Sequence, residues 1–177
     1  MERYILVDTL SQHPFELENF PEAQDDDELV CIAVKKNGLA LQFASDRLRN
    51  DKETVMIAVK KNGLALQFAS EGLRNDKEAV MTAVNKEGGA LRFVSNRLLH
   101  DREVIMTAIE SDGFAFTLVP SELIDRDIVL AGVTNCGGGV EINQLEDFIP
   151  EELFSDVEIA KALVELDTVA LAYIPDE

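Results

Sequence analysis

Apolar and polar positions recur along this chain with a period of 25 residues. Inside each period the apolar residues first take helical spacing, as in Val55, Ala58 and Val59, which fall on one helix face. They then close up into Leu64, Leu66 and Phe68, and a Ser- or Pro-led turn (Ser70 to Leu73, Pro120 to Leu123, Pro150 to Leu153) returns the chain. The pattern predicts a helix, a tight stop and a second, shorter helix, with an all-α fold. At 100° per residue, Thr54 through Met56 span roughly 200°, about twice the apolar arc a lone surface helix needs. An arc that wide fits a helix held between a preceding and a following unit.

The repetition is close to literal. Residues 32–45 and 57–70 are the same fourteen letters, IAVKKNGLALQFAS. Units 26–50 and 51–75 share 20 of 25 residues, and units 51–75 and 76–100 share 14 of 25. Such a period marks a stack in which no unit buries its apolar face alone. Beyond Asp125 the register decays, and about six extra residues lie between Gly137 and Asp156 compared with Gly63 to Asp76. The expected organisation is a single α-solenoid-like domain. Residues 1–24 form a degenerate capping half-repeat, residues 25–133 the regular repeats, and residues 134–177 diverged acidic repeats with a short insertion.

Local signals fill in each unit. Asn50/Glu53, Asn75/Glu78, Asp25/Glu28 and Ser155/Glu158 have capping-box spacing, and His100/Glu103 keeps the glutamate with a poorer cap. Gly63 and its equivalents Gly38, Gly88 and Gly113 sit where a left-handed residue would end the helix. The small column Ala33, Ala58, Ala83, Ala108 and Gly132 would let helices approach closely. Phe68 is expected in the core, and the Met56, Met81 and Met106 column is expected to pack between units.

The run DKETVMIAVKKNGLALQFASEGLRND, residues 51–76, resembles the domain of unknown function 4116 repeat family, one family unit spanning about two 25-residue registers. The resemblance is close over residues 25–133 and weakens from Thr134, where Gly138 and Gly139 replace the expected Leu and Ala. It implies a helical repeat protein and carries no activity, cofactor or functional residue with it.

Composition narrows the partners. The 177 residues hold 34 acids and 16 bases, a net charge of −18, with 46% hydrophobic residues, as suits a folded chain. The charge is uneven: residues 25–99 carry 11 acids and 12 bases, whereas residues 100–177 carry 18 acids and 3 bases. Such acidity argues against nucleic acid, whose binding needs Lys and Arg on phosphates, and against anionic membrane surfaces. No stretch approaches the roughly 20 apolar residues of a membrane span, and Tyr4 to Val7 is too short for a signal-peptide core. A cytoplasmic setting is expected.

Candidate chemistry is sparse. Asp25-Asp26-Asp27-Glu28 lacks the alternating ligands and glycine of a calcium loop. Cys136, beside three glycines, would need a base, and the histidines are His13 and His100. The glycines are not followed by the Lys-Ser or Lys-Thr of a phosphate loop. No catalytic, metal or cofactor residue is assigned. The expectation is a non-enzymatic protein–protein interaction module whose acidic C-terminal face meets another protein with a basic surface. Its expected contact residues are Glu141, Glu146, Asp147, Glu151 and Glu152, in and beside the insertion. The alternative is an acidic inhibitor or nucleic-acid mimic that blocks a basic enzyme. The competing reading is a solvated face that only keeps the stack soluble.

Overall fold

The computed structural model describes residues 3–136 and 145–166, and no strand occurs among them. The α-helices are α1 (Arg3–Gln12), α2 (Asp27–Lys36), α3 (Asp46–Arg49), α4 (Lys52–Lys61), α5 (Glu71–Arg74), α6 (Lys77–Lys86), α7 (Asn96–Leu99), α8 (Arg102–Ser111), α9 (Arg126–Asn135) and α10 (Val157–Leu166). The regular unit has three parts where two are expected. A ten-residue helix such as α4 is followed by a six-residue 3₁₀ segment, Gly63–Phe68, and then by a four-residue helix such as α5. Before Asp25, where half a unit is expected, the chain already carries all three parts: α1, a 3₁₀ segment Pro14–Asn19 and a 3₁₀ turn Pro21–Ala23.

From α2 onward each long helix is started by an aspartate, which for all but α9 lies one residue later than the capping-box spacing predicts. The Asp51 carboxylate accepts from Thr54 N–H at 2.8 Å, Asp76 from Ala79 N–H at 3.0 Å and Asp125 from Ile128 N–H at 3.0 Å. Asp26 and Asp156 cap in the same way, and Asp101 accepts from Glu103 N–H, two residues on, at 3.1 Å. Asn50 and Asn75, expected as caps, instead tie one unit to the next. Asn50 Oδ1 accepts from the Ser70 hydroxyl at 2.7 Å, and Asn75 Oδ1 accepts from the Ser95 hydroxyl at 2.6 Å and from Arg97 Nε at 2.9 Å. Beside these clamps Ser70 N–H donates to the Arg49 carbonyl at 2.9 Å, and Ser95 N–H to the Arg74 carbonyl at 3.0 Å.

The helix stop also differs from expectation. Asn62 leaves the helix in an extended conformation (φ −147°, ψ 116°), and its side chain accepts from Leu64 N–H to launch the 3₁₀ segment. Gly63 is not left-handed. A β-carbon there would collide with the Ala83 carbonyl oxygen of the following unit, and Gly38 and Gly88 face Ala58 and Ala108 in the same relation. The requirement for glycine is close approach between units and not backbone freedom.

The long helices pack side by side in chain order, and the 3₁₀ segments stack in a second row. Between the rows runs one continuous core, to which α4 and its 3₁₀ segment give Val55, Ala58, Val59, Ala65 and Leu66, all fully buried. Phe68, expected in that core, is half-buried at its edge, because the 3₁₀ rise turns Ala65 and Leu66 inward instead. The Met56, Met81 and Met106 column is half-buried and packs against the core. Among the described residues no helix is long and apolar enough to cross a membrane.

Candidate interaction surface

At the N-terminal ends of the long helices, cations cross each unit boundary to a pair of acids. Lys52 Nζ lies 2.9 Å from both Asp76 and Glu78, and Lys77 Nζ lies 2.7 Å from both Asp101 and Glu103. Arg3 spans to Asp26 and Glu28, Arg102 to Asp125 and Asp127, and Arg126 to Asp156 and Glu158. Four of the five glutamates assigned to capping boxes, Glu28, Glu78, Glu103 and Glu158, thus hold neighbouring units. One rung is absent: Asp27 stands at the cation's position in α2 and is bound by Arg47 of its own unit at 3.0 Å. These pairs are exposed, so each contributes little and is weakened by salt. Their collective effect on charge is larger, because they neutralise the acids along this edge.

Next to the ladder lies the outer face of the long helices. Cys31, Met56, Met81, Met106 and Leu130 line up on successive helices, all half-buried, and a second row (Ile32, Ile57, Thr82, Thr107, Ala131) runs beside them. The result is an unbroken, partly apolar strip across five helices. At its C-terminal end the strip opens into a groove of about 480 Å³ over α9. Met106 and Leu130 form its floor, and Glu110, Asp127 and Glu158 stand at its rim. Asp127 and Glu158 are shared with Arg102 and Arg126, whereas Glu110 is exposed and pairs with no described residue. An apolar floor under carboxylates suits a long cationic side chain, which buries its stem and presents its charge to the rim.

The acidic residues expected to form the contact are only partly placed. Glu141 lies outside the described residues. Glu146 and Asp147 belong to a 3₁₀ turn, Glu146–Phe148, and Asp147 is exposed. Glu151 and Glu152 are exposed in the first turn of the 3₁₀ segment Glu151–Ser155. This region is anchored by Leu145 and Ile149 in the core and by Phe148, which meets Phe116 edge to face at 6.4 Å. The groove over α9 was not anticipated. Its signal was available: Glu110 and Thr134 follow Met106 and Leu130 by four residues, placing them on one helix face.

Neither candidate for chemistry gains support. The Ser45 hydroxyl and Arg47 hold the Asp25 carboxyl below the usual carboxylate range, Arg3 does the same for Asp26, and Arg47 for Asp27. Burial, with Asp112 nearby, pushes the Cys136 thiol up to about 11, opposite to what a nucleophile requires. The glycines after Cys136 lie outside the described residues.

The model of a family described as a domain of unknown function (DUF4116) matches residues 26–74 and again residues 76–124. Each match opens on a helix-capping aspartate and spans two structural units. No curated protein and no solved structure matches the chain.

Proposed function

The chain belongs to the DUF4116 family, two copies of whose domain lie end to end in it, and we propose that it is a non-enzymatic scaffold that binds another protein along its long helices. The observation that carries this reading is the strip through Met56, Met81, Met106 and Leu130, which stays half-buried over five helices and ends in an acid-rimmed groove. A stack of rigid units holds such a strip at fixed curvature, so recognition costs little ordering. The acidic C-terminal units, with Glu110, Asp147, Glu151 and Glu152 exposed, orient a basic partner by long-range attraction. The setting proposed is the cytoplasm. Where the partner is a basic enzyme whose site becomes covered, the same contact acts as inhibition.

Affinity capture from source-cell extract at about 50 mM and about 500 mM salt tests the proposal, because a charge-steered contact weakens as the screening length shrinks from roughly 14 Å to roughly 4 Å. Wild type is compared with Glu110→Lys/Glu151→Lys/Glu152→Lys. A basic protein held by wild type at low salt, and lost at high salt or from the variant, is the expected result. The same proteins held by both chains at both salts would overturn it.

A further inference from the structure

Residues 25–99 are close to neutral by count, yet their charges are sorted in space. Most acids of these units are drawn to the N-terminal ends of the long helices, where they cap or pair with Arg3, Arg47 and Lys52. The C-terminal ends carry lysines in register: Lys35 and Lys36, Lys60 and Lys61, and then Lys86. All five are exposed, and none makes an ion pair or side-chain hydrogen bond with a described residue. Glu87, next to Lys86, is turned back to accept from Leu64 N–H at 3.2 Å. The equivalent positions in the later units are Glu110 and Ser111, then Thr134 and Asn135, so the row of positive charge stops after α6. Helical spacing puts Lys35 and Lys60 four residues beyond Cys31 and Met56, on the flank of the apolar strip.

We propose that this row is a second docking surface, of opposite sign to the C-terminal one, and that its occupant is an extended acidic polypeptide segment laid across α2, α4 and α6. Packed helices are about 8–10 Å apart, so each step along the stack offers lysine at that interval. A chain in the open polyproline II conformation has three residues per turn and advances about 3.1 Å per residue, so a carboxylate at every third residue stays on one face and meets each row in turn, about 9 Å apart. Apolar residues between the carboxylates rest on Ile32, Met56, Ile57 and Met81, half-buried beside the lysines. A polynucleotide brings more negative charge against a chain of net charge −18 and leaves the apolar strip unused, which favours the peptide. The stack thereby has two poles, one for an acidic segment and one for a basic partner.

The test is fluorescence anisotropy with a labelled peptide of about 12 residues, glutamate at every third position and leucine between, at about 50 mM salt. Wild type is compared with Lys60→Glu/Lys61→Glu/Lys86→Glu and with Glu110→Lys/Ser111→Lys, which extends the row by one unit. Circular dichroism melts establish that each variant is folded. Wild type is expected to bind, the reversed row to lose roughly tenfold or more in affinity, and the extended row to gain several-fold. Equal binding by wild type and reversed row, or no binding by wild type, would overturn the proposal. So would a single-stranded oligonucleotide of equal charge binding more tightly than the peptide. Wild-type self-association in sedimentation that vanishes in the reversed-row variant would also overturn it, because a second copy would then be the occupant. The acidic groove is unchanged in the reversed-row variant, so either reading can fail without the other.

Discussion

The Ala83 carbonyl oxygen occupies the space that a β-carbon on Gly63 would need, so the first residue of one unit's 3₁₀ segment is fixed by the helix of the next. Because the obstacle is backbone, it cannot turn aside, and relief requires the two units to separate. Gly63→Ala should therefore cost about 2–3 kcal/mol, above the roughly 1 kcal/mol scale of helix propensity alone. Gly72 gives the contrast: its nearest neighbour would be the Ser70 hydroxyl oxygen at 3.8 Å. Gly72→Ala in α5 should be neutral or stabilising by about 0.5–1 kcal/mol. Urea unfolding of the two variants checks both signs.

Phe116 and Gly132 form a compensating pair. In three earlier units the equivalent positions hold a buried leucine (Leu41, Leu66 or Leu91) and a buried alanine in the next helix (Ala58, Ala83 or Ala108). Here Phe116 is larger and fully buried, and a β-carbon on Gly132 would stand 2.5 Å from its ring. Gly132→Ala alone should destabilise by about 1–3 kcal/mol through overpacking. Adding Phe116→Leu should recover part of that loss, and a double-mutant cycle with a coupling of about 0.5 kcal/mol or more would confirm it. Additive losses would show that the two sites are independent.

Acid should loosen the stack within a defined window. The capping carboxyls Asp26, Asp101 and Asp125 are held below the usual range chiefly by Arg3, Lys77 and Arg102, Asp156 chiefly by Arg126, and Asp76 chiefly by Ala79 N–H. A depressed carboxyl contributes stability that is full above its unfolded value, about 3.9, and is lost as pH falls through the lower folded value. Thermal melts should keep their midpoint between about pH 7 and pH 5 and fall below about pH 4. Lys52 and Lys77 are shifted upward by the same pairs, so their share persists to the ordinary lysine range and is lost only above it. A midpoint that drops between about pH 7 and pH 5 would contradict this assignment.

Cys136 should behave as an inert thiol. With its titration pushed up to about 11, it is almost wholly protonated near neutral pH. In a Cys31→Ser background, alkylation at about pH 8 should run slower in the folded protein than in denaturant, where the thiol returns to about 8.5. Equal rates in the two states would show Cys136 exposed and unshifted.

Most of the architecture was legible because the repeat writes it several times over. The period, the helix faces and the buried Val55, Ala58, Val59 and Leu66 all follow from spacing. Three readings failed for one physical reason: each assigned a within-unit role to a residue that acts between units. Asn50 and Asn75 clamp the next turn, Glu53, Glu78 and Glu103 sit in or beside boundary pairs, and Gly63 makes room for a neighbouring carbonyl. A 25-residue offset cannot reveal which of two adjacent copies a side chain serves. Phe68 is a different case. Its apolar character was clear, but the 3₁₀ segment, three residues per turn where a helix has 3.6, places it at the rim. Leu66→Ala should accordingly cost more than Phe68→Ala. The groove over α9 escaped because counting charge by region does not show which acids are already paired.

The claim that matters most is that the long-helix strip is a docking face with an acidic end. The chain has four methionines, and Met56, Met81 and Met106 stand along that strip in order, so their methyl groups report position. A methyl-labelled methionine spectrum titrated with a Lys- and Leu-rich peptide of about 12 residues at about 50 mM salt reads the contact directly. Met106, beside Glu110, should shift first and most, Met56 should hardly move, and Glu110→Lys should abolish the effect. Shifts spread evenly over the three methionines, or centred on Met56, would contradict it.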